Sequence, residues 1–142
     1  MTAEAFIAAA RNLKGARWRH RGRKPWAVDC VGLLILAGRQ AGLAIDDEPI
    51  YGREPWDQQL PRALRIRFGE PVKDWRPGCV ALIRWRHGEP SHIGILGDHP
   101  HGGLSLIHAH NLQGVVECSL SGPYLSCVVE VFSPWQDKYY HS

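Results

Sequence analysis

The chain has 142 residues, 44% of them hydrophobic, and 17 Lys and Arg against 14 Asp and Glu give a formal net charge of +3. That length suits a single domain over residues 1–142 with a core of its own and leaves no room for a second module of useful size. The charge is too mild to mark a nucleic-acid binder by itself, no apolar run reaches membrane-spanning length, and the start lacks the basic and apolar pattern of an export signal.

In chain order, residues 2–13 favour a helix, with Thr2 as N-cap and Gly15 as its stop. Residues 15–28, rich in Gly, Pro and Arg, read as an irregular loop. The basic residues gather between Arg11 and Lys24, with Trp18, His20 and Trp26 among them. A basic, aromatic stretch can bind nucleic acid, but this one is short and lacks a binding motif, so the expectation is a solvated or partner-facing loop and no nucleic acid. Asp29 then caps an apolar run that should hold a helix to about residue 42, with Cys30 at its first position. Residues 42–56 read as a connector whose Asp46, Asp47 and Glu48 are solvated surface. A helix over 57–68, capped by Asp57 and regular after Pro61, presents Leu60, Leu64 and Phe68 as one apolar stripe against a sheet.

From there the period changes. Residues 79–85, 91–96, 104–108, 115–120 and 127–132 are short β-branched runs parted by turn residues, the pattern of an antiparallel sheet. Helices first and strands last give an α+β architecture, with the Cys30 helix packed on the sheet. Residues 138–142 are a tail or a docking segment. The four cysteines are expected as free thiols, since nothing marks an oxidising context.

Cys30 by itself could be core filling and His92 an ordinary strand histidine. Together they fit a nucleophile and a base, because the positive end of a helix favours thiolate and imidazole both takes and gives a proton near neutrality. His108, at the end of the next strand, would orient His92. His110 and Asn111 are alternatives for that role. His108 and His110 share a strand face, whereas a loop beginning at Ala109 would leave only His108 aligned. A metal reading of His99, His101, His108 and His110 lacks the spacings of zinc sites. Thiol acyl transfer needs no cofactor, so none is expected.

Four blocks carry a resemblance: Asp29-Cys30-Val31-Gly32-Leu33, Pro77-Gly78-Cys79-Val80, His92-Ile93-Gly94-Ile95 and Ile107-His108-Ala109. In this order they resemble the NlpC/P60 family of papain-like cysteine peptidases, with Val31 in place of the usual Ser and Cys79 in place of the usual Asp. The resemblance implies a papain-like α+β fold with the nucleophile helix on a C-terminal antiparallel sheet. It implies Cys30 as nucleophile, His92 as general base and acid, His108 as the residue orienting it, and Trp18 and Asp29 as substrate-binding residues. It also implies an endopeptidase acting on peptidoglycan stem peptides. The stretch from Trp18 to Arg23 ahead of Asp29 looks most like the phage-tail and gene-transfer-agent branch. That branch implies tail proteins as partners, synthesis in the cytoplasm without a signal peptide, and carriage in a virion or tail-like particle to the periplasmic cell wall. The alternative is a structural tail-tip or hub component with the same shell and little turnover.

Overall fold

The computed structural model describes residues 2–43, 45–47, 59–85, 88 and 90–135. Helix α1 (Ala3–Arg11) opens with the Thr2 hydroxyl accepting from the Ala5 amide at 3.0 Å, and Gly15 follows at φ 89°. Residues 15–28 differ from the expected irregular loop. They hold three two-residue strands, β1 (Arg17–Trp18), β2 (Arg23–Lys24) and β3 (Ala27–Val28), in the order β1-β3-β2. Strands this short carry no periodicity, so composition alone could not reveal them.

Helix α2 (Cys30–Gln40) begins on Asp29 and ends at the Ala41 cap. Helix α3 (Gln59–Phe68) takes Pro61 into its first turn, where the missing amide costs nothing; the expected Asp57 cap lies outside the described residues, as do Glu48 and the tail. The Leu60 and Leu64 stripe joins the same buried cluster as Leu34 and Ile35 of α2. Asp46 is exposed as expected, but Asp47 is not simply solvated, because Arg23 binds it with Nε and Nη2.

Strands β4 (Val80–Ile83), β5 (His92–Asp98), β6 (Leu104–His110), β7 (Gly114–Ser119) and β8 (Val128–Phe132) form an antiparallel sheet in the order β7-β6-β5-β4-β8. A short helix α4 (Gly122–Ser126), with Pro123 in its first turn, links β7 to β8; five residues are too few for a helical period to register in the sequence.

Alternation along the strands divides the core in two. Val80, Leu82, Ile93, Ile95, Ile107 and Ala109 face α1 and α2, while Ala81, Ile83, Leu96 and Leu106 face the side covered by Trp75 and Tyr124. Among the described residues no helix is long and apolar enough to cross a membrane.

Candidate active site

The start of α2 is held by one buried carboxylate. Asp29 Oδ1 accepts from the Gly32 amide at 2.8 Å and from Arg23 Nη1 at 3.2 Å, and its Oδ2 accepts from the Arg21 amide at 2.7 Å. A cap of this kind is worth about 1 kcal/mol. Arg23 spans from Asp29 to Asp47, so the small sheet and the connector are both tied to the residue before Cys30. Gly32, one turn into the helix, is glycine for a packing reason: a Cβ there would run into the carbonyl oxygen of Gly22.

Cys30 is half-buried at the head of α2, and the Ile93 amide, next in chain to His92, donates towards its sulphur. The sequence expectation of a lowered thiol pKa is overturned. Burial pushes the Cys30 thiol up to about 12 and the Asp29 carboxylate adds to the rise; the amides of Ile93, Val31 and Cys30 itself pull the other way without prevailing. The resting group is a thiol.

His92 and His108 are brought into direct contact, Nε2 of the first lying 3.0 Å from Nδ1 of the second. The pairing of Ile95 with Ile107 puts His108 across from Gly94, two residues from His92 on the same face. A Cβ on Gly94 would lie 2.5 Å from Leu106 Cδ1 and 3.3 Å from His108 Cβ, so this glycine makes room for the pair. Burial pushes His92 down to about 3, with the His108 and His110 rings adding to the shift, and pushes His108 down to about 4. Both rings are neutral at neutral pH. Among the described residues Cys30 makes no hydrogen bond to either ring; hydrogen bonds between a nucleophile and its base commonly tighten only around substrate.

β6 runs on to His110, so no loop intervenes at Ala109. His110 nevertheless stays out of the pair, its Nδ1 accepting the Leu112 and Gln113 amides that close the β6–β7 turn. Trp18 is half-buried, stacks on His20 at 6.5 Å and packs on the core beside α2. Asp29 is 3% exposed and bonded within the chain through both oxygens. Among the described residues no three His, Cys, Asp or Glu side chains gather as a metal set.

Two residues of the site escaped the sequence reading. Trp85, 37% exposed, lies 5.3 Å from His92 and 6.3 Å from His108 between ring centroids, and Tyr124 of α4 lies 5.5 Å from His108. They wall the imidazole pair on the side away from α2. Trp85 could have been found by continuing the β4 alternation two residues past Ile83, the partner of His92; Tyr124 depends on α4, which had no signal.

No family model matches the sequence, and no curated protein does. Solved structures do. An NlpC/P60 family protein from Bacillus cereus superposes with a TM-score of 0.71 at 15% identity over 96% of this chain and 41% of its own. A lipoprotein-like NLP/P60 family protein from Staphylococcus aureus gives 0.67 at 13% identity over 95% and 42%. The NlpC/p60 domain of the peptidoglycan hydrolase SagA gives 0.60 at 17% identity over 94% of this chain and 99% of that domain. The fold is therefore that of the NlpC/P60 proteins, an α+β fold with helices on an antiparallel sheet. The chain spans less than half the length of the first two structures.

Proposed function

We propose that this protein is a cysteine peptidase that hydrolyses amide bonds in peptidoglycan stem peptides. The observation that carries the reading is the buried His92–His108 contact at 3.0 Å, on a strand where the residue after His92, Ile93, donates its amide to Cys30. What supports the substrate is the likeness of fold to a peptidoglycan hydrolase domain.

In this reading His92 carries its hydrogen on Nε2 and donates it to His108, leaving Nδ1 as the base. A neutral thiol facing a neutral imidazole passes its proton as the sulphur attacks, so no resting ion pair is required. The Cys30 amide at the helix start donates to the oxyanion. The imidazolium, stabilised by His108, returns the proton to the leaving amine, and water then hydrolyses the thioester.

Purified sacculi test this. Wild type is expected to release stem-peptide fragments whose masses name the bond, and Cys30→Ala to release none. A folded, reduced wild type that releases nothing from sacculi would favour a structural tail-component role.

Carriage in a phage tail or gene-transfer-agent particle is the finer part of the proposal. What supports it is the sequence resemblance of the Trp18–Arg23 stretch and the Asp29 block to that branch. Detection of the chain in purified particles, and its loss from the cell-free lysate pellet when particle genes are deleted, is the expected result.

A further inference from the structure

A third polar side chain touches the imidazole pair, and the chemistry above does not use it. Cys118 lies on β7 opposite Leu106 and diagonal to His108. Its sulphur is 4.0 Å from His108 Nε2 and 3.8 Å from the Leu106 carbonyl oxygen. We propose that Cys118 is a positioning residue, which selects the tautomer of the histidine pair that leaves His92 Nδ1 free to take the Cys30 proton. The inference rests on the peptidase reading for its catalytic consequence.

A single hydrogen lies between His92 Nε2 and His108 Nδ1, and it can belong to either ring. If His92 holds it, His108 carries its own hydrogen on Nε2, pointing at Cys118, and His92 Nδ1 is bare. If His108 holds it, His92 must carry its hydrogen on Nδ1, where it blocks the base. The two arrangements make opposite demands on Cys118. In the first the sulphur accepts from His108 Nε2; in the second the thiol donates to it.

The Leu106 carbonyl decides between them. It can only accept, it is the nearer of the two contacts, and it is fixed by the strand ladder, so it takes the S–H and turns the sulphur lone pairs towards His108. Burial and the neighbouring Glu117 raise the Cys118 pKa, so the group remains a thiol with that hydrogen to give. The His108 ring cannot swing away from this contact, because Trp85, Tyr124 and His110 stand within 6.3 Å of it between centroids. The chain of contacts thus runs from the Leu106 carbonyl through Cys118 and His108 to the proton-accepting nitrogen of His92.

Long-range proton–nitrogen correlation on the full chain with 15N-labelled histidine reads the tautomers without substrate. In wild type both rings are expected to carry hydrogen on Nε2. In Cys118→Ala the alternative tautomer becomes populated, and kcat on a soluble stem peptide falls about tenfold at unchanged KM, roughly the worth of one neutral hydrogen bond. Cys118→Ser, which both accepts and donates, restores the wild-type pattern. Cys118→Val keeps the volume and serves as the apolar variant should Ala not fold. Wild-type ring signals in the folded apolar variant overturn the inference. A wild type with the expected tautomers that cuts neither sacculi nor stem peptide overturns the peptidase reading and leaves the role of Cys118 intact.

Discussion

His92 Nε2 and His108 Nδ1 lie 3.0 Å apart in the interior of the sheet, and that contact sets what the site can do. One hydrogen is shared between these two atoms, and when His92 holds it the basic nitrogen left to His92 is Nδ1. The Ile93 amide on the sulphur of Cys30 holds the thiol at the end of β5 that carries His92. Burial stops both rings from charging at neutral pH, so in the proposed reaction charge would develop there only during proton transfer.

This makes the acid behaviour specific. His92 and His108 are depressed to about 3 and about 4 from 6.5. The unfolded chain therefore binds protons that the folded chain refuses, and stability falls as pH drops below about 6.5. Loss of the proposed peptidase activity on acidification is expected to coincide with loss of tertiary structure by near-UV circular dichroism. A separate titration near pH 6.5 in a chain that stays folded would show that His92 is charged in the native state.

The thiol gives a complementary expectation. With Cys30 near 12, alkylation by iodoacetamide in the absence of substrate should accelerate steadily from neutral pH upwards. A rate plateau between about pH 5 and 8, the mark of a thiolate held by imidazolium, would contradict a neutral resting pair.

His108 and His110 should separate cleanly by mutation. His108→Ala removes the acceptor for His92 and is expected to lower kcat by about 10²-fold, within the range for a positioned proton-transfer group. His110→Ala is expected to leave kcat within about twofold and instead to cost about 1 kcal/mol in denaturant unfolding, because its Nδ1 holds two turn amides. Steady-state kinetics on a soluble stem peptide, with urea titration of each variant, checks both.

The sequence made the site legible where chemistry and periodicity act over several residues. The α2 start is signalled by Asp29 before an apolar run, and the five strands of the large sheet by β-branched runs parted by turn residues, so Cys30, His92 and His108 could be assigned to their elements. What escaped was what tertiary contact decides. The thiol pKa follows from burial prevailing over the helix end, which no spacing reveals. Whether His108 or His110 meets His92 turns on the register of β5 against β6. The glycines of the Cys30 and His92 blocks were visible as motif letters, yet their reasons, the Gly22 carbonyl beside Gly32 and Leu106 beside Gly94, are contacts between distant segments.

Those contacts predict a graded cost. Gly94→Ala meets a flexible leucine end at 2.5 Å and should destabilise by about 1–3 kcal/mol, the usual range for overpacking. Gly32→Ala meets a backbone carbonyl that cannot rotate aside, and it should cost more and pull the Arg21–Arg23 segment off Asp29. Thermal unfolding ranks the two. Equal or reversed costs would mean that the α2 start does not press on Gly22.

Away from the site, Glu117 fastens α1 to the sheet. Arg11 binds it through Nε and Nη2, Lys14 pairs with Oε1, and the Ser105 hydroxyl donates to Oε2 at 2.6 Å. Burial alone would raise this carboxyl, but the Arg11, Lys14 and Ser105 contacts outweigh it and hold the pKa at about 2, against 4.5 for a free glutamate. A depressed folded pKa contributes stability that is fully present above about 4.5 and is lost as pH falls towards 2. Glu117→Gln should therefore lower the unfolding free energy at neutral pH by about 2 kcal/mol. The gap to wild type should close progressively below pH 4.5. Urea titrations of both proteins across that range give the measurement, and a gap that stays constant with pH would mean that the ionic contacts contribute nothing and the loss is one of packing alone.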